Sequence, residues 1–401
     1  MSNKTVLVSG ASIAGPAAAY WLRRAGYSPT VVERAPAPRP GGQAVDLRGA
    51  GRTVITRMGL MERARAISLD QRGLALVDSR GRITARMPAD SFGGEGIVSE
   101  IEILRGDLCE LLYDATLPDT EYLFDDTITE LRQDEDGVQV RFERAAPRRF
   151  DLVVGADGLH STVRALAFGP EERYVRPLDC YTAWFTTTED IALDDWYLMH
   201  NAPGGLVASA RPGRLPGEVK AGLSFRSEPL SYDRRDVRGQ QDVIAARFAR
   251  VGWEVPRLLA GMRAGTDFAF DSIGQVHLDH WSCGRVVLLG DAGYCPTPLT
   301  GLGTSVALVG AYVLAGELAA GGDHATAFAR YENRIRPYVT SAQELPPGGV
   351  SGYAPMSAAA IRARGLSMRW MNRWPMRPLM ARQFAKAADI ELPEYAFASV
   401  G

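Results

Sequence analysis

Three glycine-bearing segments follow short apolar runs in the sequence, and the first carries groups that can bind a phosphate. Gly10 and Gly15 come directly after the apolar run Thr5–Ser9. Gly10 permits a tight turn out of a strand, Gly15 lets the next helix pack closely, and the N–H groups at the start of that helix bind a pyrophosphate. In the dinucleotide-binding motif G-x-G-x-x-G, Ser12 stands at the position of the middle glycine. Its hydroxyl can donate to a phosphate oxygen. The predicted pyrophosphate-binding residues are Gly10, Ser12, Ile13, Ala14 and Gly15.

Carboxylates at the ends of later strand-like runs are placed to accept hydrogen bonds from a sugar. Glu33 ends the run that follows the first helix, which is the position that binds a ribose diol, and Arg34 is grouped with it as a candidate. Asp157 and Gly158 follow a second buried run in the same way. A glycine turn without any ligand is the alternative interpretation of the first motif taken alone.

The third segment leads through a glycine-rich loop into a long apolar helix. N–H groups of such a loop, at a helix N-terminus, stabilise negative charge on a phosphate or an electron-rich ring. The candidate residues in this segment are Gly290, Asp291, Pro298, Gly301, Leu302 and Gly303. Three such motifs, each at a strand end, are difficult to explain by turn chemistry alone.

The elements that must position these motifs are parallel strands whose carboxyl ends meet. Thr5–Ser9, a helix over 14–25 and Thr30–Val32 form one βαβ unit, and Asp151–Val154 and Arg285–Leu289 have the composition of buried strands. The region 176–230 differs, because short strand patterns alternate there with Pro/Gly turns. Its predicted strands are Tyr181–Thr187, Trp196–His200, Gly205–Ala210 and Glu218–Arg226. The predicted fold is α/β, with a discontinuous Rossmann-like domain, an inserted, mainly antiparallel β-sheet domain and C-terminal helices.

The length of 401 residues predicts more than one hydrophobic core. We assign residues 1–70, 96–170 and 275–345 to the dinucleotide-binding domain and residues 71–95 and 171–274 to a substrate domain. Residues 346–401 form a C-terminal helical segment in this interpretation.

Composition and charge argue against several classes of function. A net charge of −2 provides no basic field for nucleic acid. The four cysteines include no CxxC pair, and His277 and His280 have no accompanying ligand motif, so no metal site is predicted. The apolar runs 5–22 and 302–316 are broken by glycines or too short to span a bilayer, so we expect no membrane association and a cytoplasmic location.

Four segments of the chain resemble the class A flavoprotein monooxygenases, the family of para-hydroxybenzoate hydroxylase. They are GASIAGPAAAYWLRRAGYSPTVVER, LRGDLCELL, GADGLHSTVR and GDAGYCPTPLTGLGTSVALVGAYVLAGEL. The resemblance implies that FAD is the dinucleotide and that the discontinuous domain binds it. It further implies that Gly10, Ser12 and Gly15 hold the pyrophosphate region and that Glu33 holds the adenosine ribose.

The resemblance also implies roles for the later motifs. Arg105 would lie near the FAD phosphates, and Asp157 and Gly158 match a second fingerprint associated with both FAD and nicotinamide. Asp291 would accept from the ribityl chain. The residues that would line the flavin ring are Pro298, Gly301 and Gly303.

Several positions differ from the family pattern or resemble only one branch of it. Tyr294 stands where many relatives have histidine, Gly293 where many have alanine, and Val309-Gly310 replaces a frequent acidic pair. The glycine-bearing segment 41–51 is similar to the flavin loop of monooxygenases that inactivate tetracyclines. Arg48 in this loop is the tentative catalytic candidate, near flavin or substrate, with a solvated arginine as the alternative.

The activity that the resemblance implies is FAD-dependent oxygenation with NADPH or NADH as reductant and O₂ as oxidant. A flavin C4a-hydroperoxide would hydroxylate or otherwise oxygenate an aromatic or polyketide-like molecule, in natural-product and antibiotic biosynthesis or in antibiotic inactivation. The sequence identifies no catalytic base. A flavin-dependent dehydrogenase or reductase and a non-catalytic flavin-binding module remain the alternatives, and we expect a monomer or a weak homodimer.

Aromatic and thioether side chains on the predicted antiparallel strands are the candidates for a substrate wall. These are Trp184, Met199 and Phe225, each of which could equally belong to an ordinary core. The tail supplies Met368, Trp370, Met371 and Trp374. We expect this tail to pack as a helix on the first domain, with a cap over the substrate pocket as the alternative.

Overall fold

A six-stranded sheet inside the largest hydrophobic core collects strands from distant parts of the chain. The computed structural model describes residues 4–94, 96, 99–371, 378, 381 and 385–397. In spatial order the strands are β17 (Ser282–Cys283), β18 (Val286–Leu288), β11 (Leu152–Gly155), β1 (Thr5–Ser9), β2 (Ser28–Glu33) and β7 (Glu121–Phe124). All neighbouring pairs from β18 to β7 are parallel, and only β17 is antiparallel, at the edge. The predicted Rossmann-like arrangement is confirmed.

The second large sheet has seven strands and is mainly antiparallel. In spatial order its strands are β16 (Ala269–Val276), β12 (Val175–Thr187), β15 (Val219–Arg226), β14 (Leu206–Pro212), β13 (Trp196–Ala202), β4 (Gly73–Val77) and β5 (Ile83–Pro88). Only the β13–β4 pair is parallel. Four of these strands are those predicted between residues 176 and 230, with ends shifted by a few residues. The domain boundaries stay a prediction, and the sheet membership of β4 and β5 is consistent with the placement of residues 71–95.

Two small sheets complete the β-structure. One contains β10 (Arg148–Phe150), β9 (Val138–Phe142) and β8 (Ile128–Gln133), and the other pairs β3 (Ala44–Asp46) with β6 (Glu102–Leu104). The β3–β6 pair carries the glycine-bearing loop after residue 41 towards the start of a helix at Arg105. Backbone hydrogen bonds from Arg105 to Gln43 and from Gly106 to Gly41 then hold this loop against the start of that helix.

Helices cover the parallel sheet and one face of the antiparallel sheet. They are α1 (Ala14–Arg24), α2 (Gly49–Arg57), α3 (Met61–Ala66), α4 (Arg105–Asp114), α5 (Thr162–Phe168), α6 (Val237–Phe248), α7 (Val255–Ala264), α8 (Asp291–Tyr294), α9 (Gly303–Ala319), α10 (His324–Gln343), α11 (Gly349–Tyr353) and α12 (Ala358–Met371). α2 and α3 are separate helices, because Gly59 takes a left-handed conformation between them. Among the described residues, no helix is both long and apolar enough to cross a membrane.

The C-terminal helix α12 corrects an expectation from the sequence. Met368 packs with Leu74, Leu76 and Met199, which belong to the seven-stranded sheet. The favoured prediction, a helix on the first domain, is therefore wrong, and the capping alternative is correct for this part of the tail. Trp370 is half exposed. Trp374 lies outside the described residues.

Two departures from the family pattern, Tyr294 and Gly310, form one packing arrangement. The Tyr294 hydroxyl lies 2.7 Å from that of Tyr331, which in turn donates to the Leu288 carbonyl at 3.1 Å. A Cβ on Gly310 would lie only 2.2 Å from the Tyr294 hydroxyl oxygen. The large side chain at position 294 therefore requires the absence of a side chain at 310.

This coupling predicts a non-additive stability effect. Gly310→Ala should lower the free energy of unfolding by about 1–3 kcal/mol, because the added methyl overpacks a buried contact. In a Tyr294→Phe background the same change should cost less, since the oxygen that the methyl meets is gone. Denaturant unfolding of the two single variants and the double variant measures the coupling. Strictly additive free energies would contradict this packing arrangement.

Candidate functional site

The carboxyl ends of four neighbouring parallel strands place the predicted motifs at one edge of the six-stranded sheet. β1 ends before Gly10, β2 ends at Glu33, β11 ends at Gly155 and β18 ends before Gly290. Ligands of open α/β sheets bind at this edge, outside the carboxyl ends of the strands. Segments separated by more than a hundred residues in sequence thus meet there.

The turn between β1 and α1 leaves no room for side chains. A Cβ on Gly15 would lie 1.8 Å from the Gly10 carbonyl oxygen, and one on Gly10 would lie 2.5 Å from the Ala156 oxygen. Within the described part of the chain, no side chain caps α1 and no acidic residue lies in its first turn. The N–H groups of that turn, which have no partner inside the helix, therefore point at an open, uncharged cradle for an anion.

Glu33 is held at the strand end by the backbone. Its Oε2 accepts from the Ala11 N–H at 2.8 Å and its Oε1 from the Ala35 N–H at 2.9 Å. Each carboxylate oxygen has a second acceptor site, so the side chain is oriented and can still accept from a hydroxyl. Arg34, the neighbouring candidate, is exposed.

Arginine side chains gather beside the first turn of α1. Arg105, the first residue of α4, donates from Nη1 to the Ser12 hydroxyl at 3.3 Å. Burial and the like charges of Arg105 and Arg34 lower the pKa of Arg39, while Glu33 opposes this effect. The clustered cations produce the positive potential that a pyrophosphate would neutralise.

The Asp157 carboxylate forms hydrogen bonds within its own loop. Its carboxylate accepts hydrogen bonds from the Ser161 hydroxyl and the Val163 N–H, and burial raises its pKa. The next residues extend this bracing, because His160 lies 2.9 Å from both Glu171 and Asp271. Desolvation lowers the pKa of His160, but the two carboxylates outweigh it and raise the pKa overall. Gly158 has no heavy atom within 4 Å of an added Cβ, so space for a ligand exists there.

Asp291 begins α8 directly after Gly290. Its side chain is exposed by accessible area, yet the protein around the carboxylate desolvates it and raises its pKa. The carboxylate is therefore open to solvent on one side and surrounded by protein on the others.

The loop before α9 carries backbone strain and an unsatisfied hydroxyl. Pro298–Thr300 is a short 3₁₀ helix, Gly301 is left-handed, and α9 begins at Gly303 after Leu302. Thr297 has a φ of 87°, and its buried hydroxyl has no hydrogen-bond partner among the described residues. Strain of this type is concentrated at functional sites. Thr297 was not predicted from the sequence, because no local pattern indicates its conformation.

Arg48 approaches this loop from the other side. It is only 4% exposed, and its guanidinium contacts the Asp46 carboxylate at 3.2 Å and donates to the Gly96 carbonyl at 2.6 Å. An added Cβ on Gly301 would lie 3.0 Å from Asp46 Oδ2. Arg48 is therefore a buried, oriented group, and the solvated alternative is wrong.

A cavity of about 720 Å³ joins the flavin-loop candidates to the antiparallel sheet. Its lining includes Pro298, Gly301 and Leu302 from the loop before α9, and Trp184 and Met199 from the antiparallel sheet. The cap helix α12 contributes Met368 and Met371, among other residues. The volume is in the range of small-molecule sites in proteins.

Phe225, the third substrate candidate, lies elsewhere. It is fully buried in the core under α6 and α7, and it stacks on Tyr181 and Phe270. Residues 220, 222 and 224 of β15 line the cavity, and because side chains alternate along a strand, residue 225 points the other way. The prediction for Phe225 is thus corrected. The alternation of Lys220, Gly222 and Ser224 with apolar residues was the signal that identified the cavity face.

Buried polar groups on that cavity face were not predicted from the sequence. Arg211 forms a salt bridge with Glu102 and lies 4.4 Å from the Tyr197 ring centre, and burial lowers its pKa to about 10. Lys220 donates to Glu218 at 2.6 Å. These residues come together only through the pairing of strands, so no spacing in the sequence marks them.

Comparisons with known proteins decide the family. The family model described as FAD binding domain matches residues 3–344. The chain is 38% identical over 344 residues to a flavin-dependent monooxygenase of Legionella longbeachae, covering 86% of this chain and 88% of that protein. It is also 49% identical to an uncharacterized protein of Mycobacterium tuberculosis, covering 88% and 95%.

A solved structure gives the same result. The tetracycline destructase Tet(55) superimposes with a TM-score of 0.81 at 36% identity, covering 98% of this chain and 99% of that one. The chain belongs to the FAD-dependent monooxygenase family.

The residues of this flavin monooxygenase homologue fit FAD at the sheet edge. The cradle at Gly10 and Gly15 would be filled by any side chain, the α1 N-terminus has N–H groups without partners in the helix, and the arginines beside Ser12 supply positive charge. The loop at Pro298–Leu302, between Thr297 and α9, lines the cavity, and a flavin ring would lie against it. The individual contacts remain proposals for the residues named above.

The cradle predicts a specific loss on filling it. Gly15→Ala should greatly reduce the FAD retained on purification, because the new methyl would displace either the Gly10 carbonyl or the first turn of α1. Gly365→Ala in α12 is the matched control, since no heavy atom lies within 4 Å of its added Cβ. The ratio of flavin to protein absorbance measures both. Full flavin retention in a folded Gly15→Ala variant would contradict this role of the cradle.

Proposed function

We propose that this chain is a monooxygenase that uses NADPH or NADH and O₂ to oxygenate an aromatic or polyketide-like small molecule. The observation that carries the proposal is the continuity of the cavity. It extends from the loop at Pro298–Leu302 to Trp184 and Met199 on the antiparallel sheet, so a substrate there lies against the expected flavin site. The fold family alone would not specify such an arrangement.

FAD, when bound, supplies the acceptance of hydride and the activation of O₂. The chain's part is to bind and orient both molecules. The N–H groups of the loop before α9 would stabilise negative charge beside them, and Arg48, held by Asp46, would add a fixed positive charge. The nicotinamide would bind transiently at the surface, because the sequence contains no second Rossmann-type glycine fingerprint besides the one at Gly10 and Gly15.

The wall of the cavity combines apolar side chains, which would exclude water, with hydroxyl groups that form hydrogen bonds. Trp184, Met199 and Leu302 provide apolar surface, and α12 covers the opening. The Ser224 hydroxyl lies 2.8 Å from Thr182 Oγ1 and 2.9 Å from the Tyr353 hydroxyl. Burial raises the pKa of Tyr353, so this phenol stays protonated at neutral pH and acts as a hydrogen-bond donor rather than a base.

The relatives' names favour a polycyclic substrate. Tet(51) and Tet(55), both called tetracycline destructases, superimpose on this chain with TM-scores of 0.81. The cavity of about 720 Å³ has room for a fused-ring molecule of that kind. Antibiotic inactivation and antibiotic biosynthesis both use such molecules, so a substrate screen should include both types.

The test is oxygen incorporation. Purified enzyme is given NADPH or NADH with phenols, aromatic polyketides and tetracyclines under ¹⁸O₂, and products are analysed by mass spectrometry. We expect at least one compound to stimulate nicotinamide oxidation and to gain one ¹⁸O atom. Turnover without label would identify a dehydrogenase or reductase instead, and the absence of any stimulated oxidation would favour a non-catalytic flavin-binding module.

Trp184→Ala in the active protein tests whether the cavity is the substrate site. We expect kcat/KM to fall roughly tenfold or more with little change in FAD content, because an apolar contact with substrate is lost. Trp253→Ala is the control, since Trp253 packs at the edge of the core on the opposite face of the sheet. Equal effects of the two substitutions would argue against substrate binding at Trp184.

A further inference from the structure

The cations that line the cavity are paired with carboxylates, with one exception among the described residues. Arg48 contacts Asp46 at 3.2 Å and Lys220 contacts Glu218 at 2.6 Å. Arg211 and Glu102 form a close salt bridge, and so do Lys386 and Glu344. Such pairs offset much of the cost of placing charge away from water.

Arg364 is the exception within the described part of the cavity lining. Its guanidinium donates to the Asn201 side-chain oxygen and to the Tyr353 carbonyl, the latter at 3.2 Å, and lies 3.1 Å from the Met199 sulfur. All of these acceptors are neutral. No carboxylate of the described chain lies within 4 Å of it.

The surroundings of Arg364 make that charge costly. The side chain is partly open to the cavity, and the protein packed around it lowers its pKa through desolvation. The nearby phenols of Tyr197 and Tyr353 do not supply a counter-charge, because burial raises the pKa of each. A guanidinium in this setting remains protonated, so the cavity wall carries an uncompensated positive charge.

We propose that Arg364 binds an anionic oxygen of the substrate, a carboxylate or a phenolate or enolate, and so selects acidic aromatic molecules. The inference rests on the proposed function, because it takes the cavity as the substrate site. A guanidinium with neutral partners gains most from an acidic ligand, since a charge-assisted hydrogen bond is about twice as strong as a neutral one. Arg364 and the loop at Pro298–Leu302 line the same cavity, so one substrate molecule would contact both.

A purely structural role for Arg364 makes a different prediction. Its bonds to Asn201 and Tyr353 also tie α12 to β13 and α11, so a substitution could simply loosen the cap. Loosening of the cap would weaken the binding of neutral and acidic ligands alike. If Arg364 binds the anion, its substitution would selectively weaken the binding of the acidic ligand.

The experiment compares two probes that share one ring system but differ in charge, 1-hydroxy-2-naphthoate and its neutral methyl ester, which is larger by one methyl group. Each is titrated into the FAD-loaded full chain, and the change in flavin absorption gives the dissociation constant. Tryptophan fluorescence provides a second signal that does not need flavin, because Trp184 lines the cavity. We expect wild type to bind the acid about tenfold or more tightly than the ester.

Substitutions on one helix separate the roles. Arg364→Gln should remove the preference for the acid while leaving the affinity for the ester nearly unchanged, and Arg364→Lys should keep part of it. Arg362→Gln, an exposed arginine on the same helix, is the matched control and should behave as wild type. Thermal unfolding of all variants reports any loosening of the cap.

Four results would overturn the inference. The first three are equal weakening of acid and ester in Arg364→Gln, a wild-type preference for the ester, and no binding of the acid by wild type. Failure of the proposed function has a separate signature, since ¹⁸O incorporation can be absent while the charge preference at Arg364 persists. The fourth result, a preference for the acid that survives Arg364→Gln, would assign the anion site to another residue.

Discussion

The parallel pairing of β1 with β2 on one side and with β11 on the other is the constraint on which the rest of the site depends. It aligns Ser9 with Val32 and with Gly155, so the turn at Gly10, the carboxylate of Glu33 and the loop at Asp157 share one edge. β18 extends the same edge to Gly290. The turn at Gly10 is tight because the helix that follows must return over the sheet, and this close approach leaves only backbone N–H groups to face a ligand. A slip in the register of any one strand would separate these groups.

One face of the antiparallel sheet packs against helices, and the other face borders the cavity. Along β12 and β15, alternate residues enter the core under α6 and α7, while the others face the cavity. Charged groups on the cavity face would destabilise the fold if they were unpaired, and most are therefore matched to carboxylates brought from other elements, such as Glu102 on β6. Arg364 departs from that arrangement, and it does so on the helix that closes the cavity. Ionisable groups with perturbed pKa values are concentrated at functional sites.

The elements near the glycine motifs were predictable from sequence, because each depends on local features. An apolar run ending in glycine, a helix start without a cap and an acidic residue at the next strand end indicate one βαβ unit without reference to the rest of the chain. The cavity was less predictable. Phe225 was placed there because aromatic residues on strands resemble a substrate wall, although the alternation in β15 contradicts it. Arg211, Lys220 and Arg364 come together from β14, β15 and α12, and only the tertiary pairing of those elements reveals it. Tyr294 and Gly310 were unexplained in the sequence for the same reason. Each is a separate departure from the family pattern, and only their contact in the structure shows why the two occur together.

The central claim is that the sheet edge holds FAD, and the visible absorption spectrum of the purified chain tests it most directly. We predict an oxidised-flavin spectrum with maxima at about 370 and about 450 nm, released on denaturation as FAD in about equimolar amount to protein. A colourless protein that also fails to take up added FAD, while remaining folded, would contradict this claim.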